Sequence, residues 1–338
     1  VLGTVTNVVE AITWLSYTYL FVRMCRNPIA YGINHLQKLE DASLLKTRRK
    51  WIVNAAQTLH DCRMVRFDKE SGSLSATGFG RAASHFYIKH ETMRIFNENL
   101  NGSLSDAGLL HVLCQAVEFE QIRVREEESG ELHRLKEECC YLEVRGGGPD
   151  NAVGKVSVLF QSFIARAYIV EFSLVSDTAF VADNAGRILR CMFEVALSQE
   201  WSSVAKKVLK FGKMLDLRCL PDAHPLRQFG ILSHEIMMKL EGANLDLDDM
   251  LDMQANEISQ LVRHPKMGGV IKNLAHQFPW LTMDFKLQPI TREVLRLSIF
   301  LEADFQWVDK IHRNAERWWI WVEDPANHHI YHSELWML

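Results

Sequence analysis

Arg187 and Arg190 are the side chains of this sequence best spaced to hold a phosphate chain. They follow Asn184, and together with Asp183 and Glu194 they recur at intervals of four, three and four, which places Asp183, Arg187, Arg190 and Glu194 on one face of a helix. Two arginines on successive turns can track a nucleic-acid backbone. The same spacing also allows Asp183 to pair with Arg187 and Arg190 with Glu194 on a solvated face. A second candidate is Lys266-Met267-Gly268-Gly269, which opens a predicted helix. Free backbone N–H groups and a lysine meet there, and Gly268 and Gly269 would let a phosphate come close. His328, His329 and His332 cluster near the end, but no cysteine is nearby, so a solvated hairpin is the expected reading and no metal is assigned. In Trp318-Trp319-Ile320-Trp321, the two-residue period puts Trp319 and Trp321 on one strand face. Such rings can stack bases, although filling a sandwich core is the plainer expectation.

Catalytic signatures are missing. No Gly-Lys is followed by Ser or Thr, so the chain has no phosphate loop, and Gly78-Phe79-Gly80 lacks the third glycine of a dinucleotide fingerprint. No catalytic residue and no cofactor are assigned to this chain.

The elements that must position these groups are mostly helical. Val5, Val8, Ile12, Leu15, Tyr19 and Val22 form one apolar stripe, predicting a helix that Pro28 ends. A second helix around Leu45–Leu59 precedes strands at 64–67 and 73–76, and Thr77 is placed to cap a helix through Ile88. Helix, helix, hairpin, helix predicts a winged-helix-like module over residues 1–89. Residues 90–223 read as a helical bundle whose strongest stretches are 104–120, 126–139, 153–169 and 176–201. Short helices joined by glycine turns over 224–281 suggest a helix-loop-helix module. From 282 to 338 the period becomes that of strands, in an immunoglobulin-like β module with fewer strands than a full sandwich. The fold class is therefore mainly α with a C-terminal β module.

Composition sets the limits. With 338 residues, 48% hydrophobic and 24% charged, the chain is an ordinary globular one. Its net charge of −4 is unevenly spread: residues 1–100 carry 13 Lys and Arg against 8 Asp and Glu, a surplus of five positive charges. Any nucleic-acid contact is therefore expected to be local. Seven cysteines without a Cys-x-x-Cys spacing argue against a disulfide framework, and a reducing nuclear or cytoplasmic setting is expected. The apolar stretch 11–22 is too short and too polar to span a bilayer, so no membrane partner is expected. A start at Val1 without methionine, and strand-like text running to Leu338, lead us to expect a piece of a longer protein.

Several stretches together resemble a known family. They are Leu2 to Asn7, Trp14-Leu15 with Tyr17 to Leu20, Asn27-Pro28 with Tyr31 to Ile33, and Gly80-Arg81 with Ala83 to Ile88. They continue with Val124 to Glu128, Pro225 to Phe229, Gln288 to Arg292, and Trp318 to Pro325. The text resembles the Ski-two-like superfamily 2 RNA helicases with tandem cassettes. Trp318 to Pro325 and His329 to Glu334 fit the activating-signal-cointegrator branch better than the spliceosomal one.

The resemblance implies a winged helix followed by a Sec-sixty-three homology unit: a helical ratchet bundle, a helix-loop-helix module and an incomplete immunoglobulin-like module. It implies that Asn184, Arg187 and Arg190 lie along single-stranded RNA or DNA, with backbone contact at Lys266, Gly268 and Gly269. It also implies RecA-like motor domains in the same parent chain, ATP and magnesium there, and further protein subunits as partners. The ATP-binding motifs are absent from this sequence, so helicase activity is implied for the parent only. A protein-interaction scaffold is the alternative expectation. The translocon component for which the unit is named fits poorly, because that protein has membrane spans. An exposed edge is expected in the β module.

Overall fold

The computed structural model describes residues 2–338, the side chains of His35 and Gln37 apart. The chain divides into two units. One holds residues 2–218 together with 323–331, and the other holds residues 219–322 together with 332–338.

The first unit opens with α1 (Val8–Ser16) and α2 (Tyr19–Arg26), followed by α3 (His35–Glu40) and α4 (Leu45–Asp61). The continuous helix expected over Val5–Val22 is therefore corrected to two. Thr18 is extended and its hydroxyl accepts the N–H of Phe21, so it caps a new helix instead of continuing the old one. As a result Val8, Ile12 and Leu15 are buried while Tyr19 and Val22 face solvent. Val8, Ile12 and Ala56 form a small core with Phe67 of β1 (Val65–Phe67), which pairs antiparallel with β2 (Leu74–Ala76). Thr77 caps α5 (Gly78–His85) through the N–H of Gly80, as its position predicts. This helix ends before the expected Ile88, because Tyr87 sits at φ 54°, in the left-handed region. Gly80 could carry no side chain: a Cβ there would lie 1.9 Å from the Met64 carbonyl oxygen.

The bundle follows with α6 (His90–Asn99), α7 (Asp106–Cys114), α8 (Ser129–Cys139), α9 (Ala152–Ile164), α10 (Phe172–Ser198) and α11 (Ser202–Leu217). The helix expected over 104–120 stops at Cys114, and a short 3-10 turn at Val117–Phe119 replaces its end. Phe96, Leu109, Leu113, Leu132, Phe160 and Phe211 are fully buried between these helices. The 27-residue α10 runs through this core. Val181, Ile188, Met192 and Val195 are inside, as the sequence pattern requires. The 323–331 segment joins this unit through the His328 carbonyl, which accepts the N–H of Ser202, and through a bridge between Trp201 and His329.

The second unit contains α12 (His234–Gly242), α13 (Leu247–Asp252), α14 (Ala255–Leu261) and α15 (Met267–His276). Leu240, Met250, Ile258, Val262 and Ile271 form its core. The β module follows, as two separate two-stranded sheets with a short α16 (Asp309–His312) between them: β3 (Leu281–Pro289) with β4 (Leu295–Ala303), and β5 (Arg317–Glu323) with β6 (Ile330–Met337). The fold is mainly helical with a small β module that does not close into a barrel. Among the described residues no helix is long and apolar enough to cross a membrane.

Candidate nucleic-acid interface

The long helix α10 is fixed at two places, and both involve charged groups. At its start, the Lys155 ammonium on α9 is completely buried. It donates to Glu128 at 2.5 Å, to Asp177 of α10 at 2.6 Å and to the Arg123 carbonyl at 2.9 Å. Arg125 also pairs with Glu128, and Ser173 of α10 donates to the same carboxylate at 2.6 Å. Burial alone would raise the Glu128 pKa, but hydrogen bonds from Lys155, Ser173 and Arg125 outweigh it and hold the group at about 2. One turn along α8, Glu131 accepts the N–H groups of Val170 and Glu171 at 2.6 and 2.8 Å, just ahead of the first turn of α10.

The second fixture is Arg187. Its guanidinium donates to the carbonyls of Phe86 and Tyr87, where α5 ends, and to the Asn184 side-chain oxygen. A cation at the C-terminus of α5 is favoured there, because the last carbonyls of a helix lack partners and carry its negative dipole end. Asn184 in turn donates to the Phe180 carbonyl at 2.9 Å. The pairing of Asp183 with Arg187 allowed by the spacing is therefore not the one adopted. Arg187 turns toward backbone carbonyls it could reach only in three dimensions.

Arg190 is different. It is 61% exposed, and its ion pair is a long one of 3.8 Å to the equally exposed Asp216 on α11. Glu194, its candidate partner by spacing, is half-buried elsewhere, with burial pushing its carboxyl pKa up. On α11 the exposed Lys206, Lys210 and Lys213 recur at intervals of four and three. Lys206 pairs with Glu323, whereas Lys210 and Lys213 enter no ion pair among the described residues. The helical period of this stripe is legible in the sequence, although it is not among the residues expected there to bind a strand.

In the other unit, Lys266 is exposed at the start of α15, and a Cβ at Gly269 would meet open space. Gly268 is buried. Its N–H donates to the Ser259 hydroxyl at 3.1 Å, and a Cβ would sit 1.8 Å from the Ala255 carbonyl oxygen, so its smallness lets α15 cross α14. Of the three residues named there, Lys266 and Gly269 face solvent and Gly268 serves packing.

Trp318, Trp319 and Trp321 are all half-buried. His329 lies 3.3 Å from Glu200, and His332 lies 3.6 Å from Glu334. No group of three or more His, Cys, Asp or Glu side chains among the described residues could hold a metal.

Residues 76–338, including α5, α10 and every element after them, match the profile of the Sec63 Brl domain. The chain belongs to that family. Residues 1–61, ahead of the Sec63 Brl domain, match a winged helix-turn-helix domain. The chain is similar to activating signal cointegrator 1 complex subunit 3 of Mus musculus, with 45% identity over 334 residues, covering 98% of this chain and 15% of that protein. It is also similar to the DExH-box ATP-dependent RNA helicase DExH14 of Arabidopsis thaliana, at 42% over 339 residues, covering all of this chain and 16% of that one. Activating signal cointegrator 1 complex subunit 3 of Dictyostelium discoideum is 42% identical over 338 residues, again 15% of that protein. The resemblance read from the motifs is thus met, and this winged-helix and Sec63 Brl region spans about 15% of the length of such relatives.

Proposed function

We propose that this region is the non-catalytic, nucleic-acid-guiding part of an ATP-dependent 3′–5′ helicase, and that it contacts single-stranded RNA or DNA along α10. The observation that carries this reading is the state of Arg190. It is an exposed guanidinium on a long, rigidly anchored helix, weakly paired, with the exposed lysines Lys210 and Lys213 on the helix packed beside it. Such a set neutralises phosphates without reading bases. Ser176 and Ala179, exposed along the same helix, are short and uncharged and let a strand lie close.

In this reading Arg190 meets the phosphate. Asn184 and Arg187 act one turn away, holding the helix against the end of α5 so that closure of the motor is transmitted to the strand. Lys266 and the open Gly269 offer a further backbone contact. ATP, magnesium and the RecA-like motor belong to the parent protein, as the similarity to a DExH-box ATP-dependent RNA helicase supports. The test is binding of the 338-residue chain to labelled single strands of RNA and DNA across a salt series. Affinity that falls tenfold or more with rising salt supports the proposal; no binding at low salt overturns it.

One observation favours a second reading, a protein-docking scaffold. In the β3–β4 hairpin, Met283, Phe285 and Leu287 stand opposite Leu301, Ile299 and Leu297, which makes one sheet face apolar. Met283, Phe285, Leu287 and Leu295 are largely exposed. A chain that binds partner proteins and ignores single strands would establish this reading instead.

A further inference from the structure

Where α15 gives way to β3, the second unit contains a cleft of about 450 Å³ that no part of the strand-guiding reading uses. Leu247, Phe278 and Phe305 give it apolar walls, and the Trp280 indole, 49% exposed, lies in the lining. Its shape is fixed by backbone: the Asp304 N–H donates to the Trp280 carbonyl at 3.0 Å, and the Gln306 N–H donates to the His276 carbonyl at 2.7 Å. Two exposed carboxylates, Asp248 and Asp304, complete the lining with His276, and neither carboxylate enters an ion pair among the described residues.

An exposed indole beside two unpaired carboxylates is an arrangement that attracts a cation, since the ring face and both carboxylates draw positive charge. The apolar walls add a place for an aliphatic or aromatic side chain. Phosphates would be repelled by the same carboxylates. We propose that this cleft docks a protein segment in which a Lys or Arg lies within a few residues of a large apolar side chain. The cation sits against Trp280 between Asp248 and Asp304, and the apolar side chain lies against Phe278 and Phe305. The proposal is independent of the strand-guiding role of α10.

The test is selection of a phage-displayed random nonapeptide library on the 338-residue chain, with affinities of the recovered peptides measured by fluorescence anisotropy. Recovered peptides are expected to carry Lys or Arg within three residues of an apolar side chain and to weaken as salt rises. Trp280→Ala is expected to cost about tenfold in affinity, the loss of a partly desolvated cation–π contact of about 1.4 kcal/mol. The surface variant Asp248→Lys with Asp304→Lys leaves the core untouched. It is expected to lose the basic peptides and to select acidic ones from the same library. Failure to enrich any peptide, enrichment of peptides without basic residues, or equal binding of basic peptides to the charge-reversed variant overturns the proposal.

Discussion

The guanidinium of Arg187 donates to the backbone carbonyl of Tyr87, a residue 100 positions earlier in the chain, and so ties the middle of α10 to the end of α5. Arg190, three residues on, makes no such tie. Arginines that look equivalent in sequence therefore have separate jobs, and substitution can separate them.

Arg187→Gln is expected to destabilise the first unit by about 1.5–3 kcal/mol, the usual worth of hydrogen bonds made by a charged group, read as a lower midpoint in urea. Arg190→Gln is expected to stay within about 0.5 kcal/mol, because an exposed pair contributes little. Equal loss in both variants would contradict the division of roles.

Lys155 predicts both a mutational effect and a pH dependence. Lys155→Met leaves the Glu128 carboxylate buried without its ammonium, and about 3–5 kcal/mol of stability is expected to go. The Glu128 pKa is depressed in the folded state, so its contribution is complete above the unfolded value, near 4.5. It is lost as pH falls from there through about 2. Chemical denaturation at intervals between pH 5 and pH 2 checks this. A flat profile over that window, with Lys155→Met unchanged in stability, would contradict it.

These two fixtures mark the limit of what the sequence discloses. Local signals were legible: the cap at Thr77, the β1–β2 turn, the apolar face of α10 and the strand period after residue 282. Local competition misled at Thr18, where a capping hydroxyl interrupts an apolar stripe that would otherwise continue. The partners of Arg187 and Lys155 were not legible, because their acceptors are backbone carbonyls and carboxylates far away in sequence, and helical spacing offered Asp183 as a nearer partner for Arg187. Gly268 reads in the sequence as a place where a phosphate comes close, but in the structure it is the carbonyl of Ala255 that does so.

The adjacent glycines of α15 give a sharp contrast. Gly268→Ala must push α14 and α15 apart and is expected to cost more than about 2 kcal/mol. Gly269→Ala meets nothing and is expected to be neutral or stabilising by up to about 1 kcal/mol, through helix propensity. Thermal denaturation of the two variants settles the comparison. Similar midpoints would contradict the packing role of Gly268.

Replacing Thr77 by Ala removes the cap of α5 together with its hydroxyl contacts to the Arg63 and Met64 carbonyls at 2.6 and 2.9 Å. A loss of about 0.5–2 kcal/mol is expected. Backbone amide exchange should quicken first in the opening turn of α5. Unaltered exchange there would contradict the capping role.

The most direct measurement is the salt dependence of single-strand affinity for the unaltered chain and for Arg190→Gln, plotted as logarithms. If Arg190 neutralises one phosphate, its removal lowers the slope by about 0.7, the value for one charge on a single strand. It also weakens binding at low salt while the urea midpoint stays unchanged. Superimposable lines for the two proteins would contradict the account.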